Sequence, residues 1–120
     1  MKEYQMGAVE SRFADMIWEN EPITSTELSK QSEEALGWKK STTYTVLKRL
    51  CDKGLFQNEK GIVTSLVSRE EYYSLQSEKF VEETFEGSLP AFLAAFTARK
   101  GLSAEEVEQL RKLVDEYGEG

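Results

Sequence analysis

The stretch Ser41 to Gly54, STTYTVLKRLCDKG, constrains the fold more than any other part of the chain. At a period of 3.6 residues, Thr43, Val46, Leu47 and Leu50 share one side of a helix. Ser41, Tyr44, Thr45, Lys48 and Arg49 share the other. The pattern predicts a helix with a buried stripe and an exposed face of hydroxyls and cations. Gly54 stands where a left-handed cap would stop it. Lys39 and Lys40 precede the helix and Lys53 ends it. Short hydroxyl side chains near a helix N-terminus, backed by Lys and Arg, suit a helix lying in a DNA major groove. There the hydroxyls and the tyrosine meet base edges, and Lys39, Lys40, Lys48, Arg49 and Lys53 meet phosphates. The same face also fits the solvated side of an ordinary bundle helix, so the neighbouring elements have to decide.

Charge bears on that decision. The net charge is −7, which by itself disfavours a nucleic-acid partner, but it is unevenly spread. Residues 1–68 carry nine Lys and Arg against ten Asp and Glu, whereas residues 69–120 carry six against twelve. Between 39 and 53 there are five cations and only Asp52 to oppose them. A local basic face on an acidic protein still attracts DNA, with weak non-specific binding and a steep loss of affinity with salt. The 120 residues suffice for one domain or two small units that share stability. No uninterrupted apolar stretch is long enough to span a membrane, and MKEYQMGAVESRF lacks the apolar core of a signal peptide, so a cytoplasmic location without membrane insertion is expected. Cys51 is the sole cysteine, which fits a reducing compartment.

Upstream, Met6, Val9, Phe13, Met16 and Ile17 recur at helical spacing with Trp18 beside them, predicting a first helix over 6–20 with a core-facing stripe. Glu21-Pro22-Ile23 breaks it, and Thr24-Ser25-Thr26-Glu27 reads as a capping box opening a second helix to about Ala35, closed by Gly37. Trp38 is expected to anchor the turn before the third helix. Two helices, a short turn and a third helix with a polar outer face give the order of a helix-turn-helix. After Gly54 the residues turn β-branched and aromatic: 55–57 and 62–67 read as strands around an Asn58-Glu59-Lys60-Gly61 turn. Three helices and a hairpin predict a mainly helical, winged helix-turn-helix unit over 1–68. The wing tip either offers Lys60 to a DNA backbone or only caps the core.

Residues 69–120 read as three further helices opened by Ser68-Arg69-Glu70-Glu71, by Ser88 with Pro90 in its first turn, and by Ser103-Ala104-Glu105-Glu106. So small a unit rarely buries enough surface alone. Yet Phe80, Phe85, Leu89, Phe92, Leu93 and Phe96, with Leu110 and Leu113 on the last helix, carry more apolar bulk than one thin layer can hide. Burial against a second copy is the simplest remedy, so a homodimer through 69–120 is expected. A dimer also lets two recognition helices read two half-sites about one helical turn apart, or a multiple of that.

Taken together, ESRFADMIW at 10–18, PITSTEL at 22–28, the run from Trp38 through TTYTVLKRL to Gly54, LVSREEY at 66–72, GSL at 87–89 and the ending from LS at 102–103 through EQLRKLV resemble the penicillinase-repressor family (BlaI/MecI/CopY type), in that order and over about residues 7–117. The resemblance implies a dimeric winged-helix repressor that binds a double-stranded, palindromic operator, typically of β-lactam-resistance genes. It implies base-reading roles for Ser41, Thr42, Tyr44 and Thr45. It also implies relief of repression by a sensor protease that leads to cleavage in the dimerisation region, at the bond matching Ala95-Phe96. Here Ala94-Ala95 stand before the aromatic, where the family often has Asn or a larger aliphatic. The copper-responsive branch carries Cys-x-Cys pairs, which one Cys and no His do not provide, so no metal and no cofactor is expected.

An enzyme is not expected: the chain has no His, no Gly-rich phosphate loop and no evident partner to activate Cys51. The adjacent carboxylate pairs, such as Glu70-Glu71 and Glu105-Glu106, diverge by about 100° on a helix and read as helix-start charges or solvated faces. Cys51 reads as a small core side chain or, alternatively, as a thiol switch on the recognition helix. Other classes are a winged helix used as a protein-interaction module and a repressor that senses a small molecule or redox signal directly.

Overall fold

A computed structural model describes residues 6–119. Its elements are α1 (Ala8–Asn20), β1 (Ile23–Thr24), α2 (Ser25–Leu36), α3 (Lys40–Asp52), β2 (Phe56–Glu59), β3 (Ile62–Ser65), α4 (Arg69–Phe85), α5 (Leu89–Thr97) and α6 (Ala104–Tyr117). The backbone forms two compact units, the first ending at Ser77 and the second beginning at Glu78. The chain is mainly helical with one small sheet, a winged helix-turn-helix followed by C-terminal helices.

In the first unit the core is one cluster that includes Phe13, Ala14 and Ile17 of α1, Leu28 of α2, Val46, Leu47 and Leu50 of α3, and Leu55, Phe56 and Val63 around the sheet. Each fully buried Leu or Phe contributes on the order of 2–3 kcal/mol. The four α3 positions expected to face inward, Thr43, Val46, Leu47 and Leu50, are all buried. Helix α1 starts two residues later than its apolar period suggests, because Gly7 occupies the N-cap and Glu10 folds back to accept from its amide at 3.3 Å. Val9, which the period groups with the core, is half exposed, and Ala14 is buried instead.

Helix α2 begins at its predicted cap, with the Thr24 hydroxyl accepting from the Glu27 amide at 3.0 Å. Gly37 ends it at φ 68°, a left-handed conformation that glycine adopts at least cost. Trp38 then packs its ring against Phe13 with centroids 5.1 Å apart.

The sheet differs from the expected hairpin in two ways. It has three strands, in the order β1-β3-β2, because Ile23 and Thr24 pair antiparallel with Val63 and Ile62. Two residues are too few to leave a period, so the segment read only as a helix break also closes one edge of the wing. The turn is also tighter: β2 runs to Glu59, and Lys60 and Gly61 alone form the corner at φ 52° and 83°. Two successive positive φ values match the right-handed strand twist of a two-residue hairpin. Leu66 and Val67, read as strand, instead both donate to the Leu55 carbonyl, at 2.8 and 3.3 Å.

Trp18 ties the end of this unit together. Its Nε1 donates to the Val67 carbonyl at 3.0 Å, and its ring lies 5.7 Å from that of Tyr72 on α4. Arg69 stacks over it at 5.8 Å while pairing with Asp15 at 3.2 Å and Glu19 at 3.4 Å.

The second unit has a different character: none of its described residues, 78–119, is buried. Phe80, Phe85 and Phe92 meet edge to face at 5.6–6.0 Å, and Phe96 lies 6.3 Å from Phe92. Helix α6 opens on a complete capping box, with Ser103 Oγ accepting from the Glu106 amide at 3.1 Å and Glu106 accepting from the Ser103 amide at 2.9 Å. Those bonds hold the Glu106 carboxyl below its usual range. The cap therefore contributes fully above the ordinary carboxylate range and is lost as pH falls through the depressed value.

Truncating the centre of the first unit should be costly. Leu50→Ala is expected to destabilise it by roughly 2–5 kcal/mol, read as a lowered denaturation midpoint at unchanged slope.

Candidate nucleic-acid interface

With one side of α3 fixed in the core, the other side is the accessible one. Lys39, Lys40, Ser41, Thr42, Thr45, Lys48 and Arg49 are exposed, and Tyr44 is half buried. Hydroxyls therefore cluster at the N-terminal end, with cations before and after them. The Thr45 hydroxyl donates to the Ser41 carbonyl at 2.9 Å, which leaves its oxygen free to accept. The Lys40 ammonium stands 5.9 Å over the Tyr44 ring.

The cations divide into two groups. Lys39, Lys40 and Lys48 lie on the open face. Arg49 and Lys53 are drawn back toward α1, where Glu10 Oε2 lies 3.6 Å from the Arg49 guanidinium and 3.9 Å from the Lys53 ammonium. Arg49 is the exposed member, and a pair with so exposed a cation is worth about 0–1 kcal/mol and exchanges readily for a phosphate, whereas Lys53 and Glu10 are largely covered. Nothing in the sequence spacing marks Glu10 for this position, since α1 and α3 meet only through the tertiary fold. Lys60 is exposed at the wing corner, next to Asn58 and Glu59.

Ser25 was legible only as part of a cap, yet it touches two elements of the interface. Its amide donates to the Gly61 carbonyl of the wing corner at 2.8 Å. Its Oγ accepts from the Tyr44 hydroxyl at 3.2 Å. The first residue of α2 thus joins α3 to the wing.

Comparison with known proteins fits this geometry. A family model described as penicillinase repressor matches residues 6–116. The chain belongs to the penicillinase-repressor family. It is 25% identical to the penicillinase repressor of Bacillus licheniformis, over 94% of this chain and 91% of that protein. It is 23% identical to the methicillin resistance regulatory protein MecI of Staphylococcus aureus strain Mu50, over 95% and 96%. A similar protein from Mammaliicoccus sciuri is 22% identical over the same shares.

Among the described residues no helix is long and apolar enough to cross a membrane, and no group of three or more His, Cys, Asp and Glu is placed to hold a metal ion. Cys51 is half buried on α3 and packs against the core. Burial, and secondarily the Asp52 charge, push its thiol above the ordinary range. A raised thiol is mostly protonated at neutral pH and reacts slowly, which disfavours a thiol switch. Iodoacetamide should label Cys51 slowly at pH 7, with the rate climbing only beyond the ordinary thiol range. Rapid labelling at pH 7 would contradict this placement.

Proposed function

We propose that this protein is a sequence-specific DNA-binding repressor of transcription that acts as a homodimer on a palindromic operator. The observation that carries the reading is the α3 face, where exposed Ser41, Thr42 and Thr45 are flanked by exposed Lys39, Lys40 and Lys48 on a helix whose opposite side is core. Ser41, Thr42, Tyr44 and Thr45 read bases. Lys39, Lys40 and Lys48 hold phosphates, joined by Arg49 and Lys53 when DNA displaces Glu10, and Lys60 adds a contact from the wing. Residues 1–68 bind DNA and residues 69–120 join two copies. The relatives' names, which refer to penicillinase and methicillin resistance, support a regulon of the β-lactam-resistance type.

The dimer is supported by what one chain leaves uncovered. Phe80, Leu89, Phe96 and Leu113 are each about half exposed, and Val114 and Tyr117 more so. Such a row of apolar side chains is normal for half of an interface and unusual for a finished surface. Phe85, Phe92, Leu93 and Leu110 lie among them, partly covered. Cleavage at Ala95-Phe96, after a sensor protease is triggered, would relieve repression. Both residues are exposed on α5, so a local opening of that short helix suffices to present the bond. Two short α5 fragments could not hold the aromatic cluster together, and the dimer would be lost with it.

Selection of bound sequences from a random DNA pool is expected to recover an inverted repeat with half-sites about one turn apart, or a multiple. Lys48→Ala should weaken binding evenly across sequences and reduce the salt slope by about two, one for each protomer. A folded dimer that enriches no motif would mean that the winged helix contacts protein instead. Leu113→Asp is expected to leave the helices formed, since the side chain is half exposed in a single chain, yet give monomers by sedimentation and lose operator binding. A dimer that persists in this variant would place the interface elsewhere.

A further inference from the structure

Helix α4 is held to the first unit at its opening turn. Arg69 Nε forms an ion pair with Asp15 at 3.2 Å, and Nη2 donates to the Asp15 carbonyl at 3.2 Å and to the Glu19 carboxylate at 3.4 Å. The same guanidinium stands 5.8 Å over the Trp18 ring. Arg69 Nε and Asp15 Oδ1 are both shielded from solvent, so this pair is more confined than an ordinary surface pair. Tyr72 is buried, with its ring 5.7 Å from that of Trp18. There the grip ends: from Tyr73 to Phe85 no residue of α4 is buried. The helix itself goes on without a break. It contains neither Gly nor Pro, and the first left-handed residues, Glu86 and Gly87, come after its end. It therefore starts in the first unit and continues past Ser77 into the second.

We propose that Arg69 is a positioning residue that sets the spacing between the two operator half-sites, by fixing the direction in which α4 leaves the first unit. The proposal rests on the reading of residues 69–120 as the part that joins two copies. A helix of seventeen residues is about 25 Å long, so a tilt of about 10° at its first turn moves its last by about 4 Å. One added base pair shifts a half-site by about 3.4 Å and turns it by about 35° around the duplex. Small changes at the joint are thus of the size that separates one spacing from the next. A planar, multiply bonded guanidinium suits such a joint, because its three acceptors all lie on one stretch of α1 and fix its plane. Without it, α4 keeps Tyr72 as an apolar pivot but loses the contacts that fix its angle.

The test is binding to a set of inverted repeats that carry the selected half-site at every spacing around the optimum. The full chain is compared with Arg69→Ala and with Asp15→Ala combined with Glu19→Ala, each checked for folding by thermal melting and for dimers by sedimentation. The wild-type protein should favour one spacing by roughly tenfold over its neighbours. Both variants should remain dimers, select the same half-site and narrow that preference to roughly threefold or less. The two variants change the net charge in opposite directions, so a general electrostatic effect would move their affinities oppositely and leave the ratio between spacings alone. That result overturns the proposal, as does an even loss of affinity at all spacings, the mark of a merely structural Arg69. A spacing profile that either variant leaves identical to the wild type also overturns it. A wild-type chain that enriches single half-sites, or no motif, instead defeats the reading of a dimer on a palindrome, and the role of Arg69 falls with it.

Discussion

Burial of the inner side of α3 is the interaction on which the rest of the first unit depends. Val46, Leu47 and Leu50 enter the same cluster as Phe13 and Ile17 from α1, Leu28 from α2 and Val63 from β3. Removing that burial would free α3 to rotate, and every outward-facing residue would change its address. The order of hydroxyls and cations on the outside is informative only because the inside is fixed. Thr43, the one polar member of the stripe, is fully buried with the others.

The interface carries an internal competition. Glu10 lies within 4 Å of two cations that a DNA backbone would use. Without DNA it neutralises part of the basic face, and on an acidic chain this keeps non-specific attraction low. With DNA, the exposed Arg49 exchanges its Glu10 contact for a phosphate at small cost. Lys39, Lys40 and Lys48 remain on the open side. Such a division suits a protein that must find one sequence among many competing sites, because affinity then depends more on base contacts than on charge.

The second unit shows the opposite balance. Its four phenylalanines gather into one cluster, yet no side chain there is fully covered. Local features, the Ser88 and Ser103 caps above all, form the helices, while the apolar area that would stabilise them is left open to solvent. In a helical unit of this size, stability then comes from whatever covers that face.

The periods and caps of the sequence determined all six helices, the buried stripe of α3, the caps at Thr24 and Ser103 and the existence of the wing, because each depends on residues within one turn or one strand of each other. The tertiary structure alone decided that Ile23 and Thr24 form a third strand, that Arg49 and Lys53 lean on Glu10, and that Ser25 joins Tyr44 to the wing corner. These contacts link residues 19 to 43 positions apart in sequence, so no local period records them. The outward face of α3 was therefore legible as a list of residues. Which of its donors and cations are already engaged became visible only once α1, α2 and the wing were packed around it.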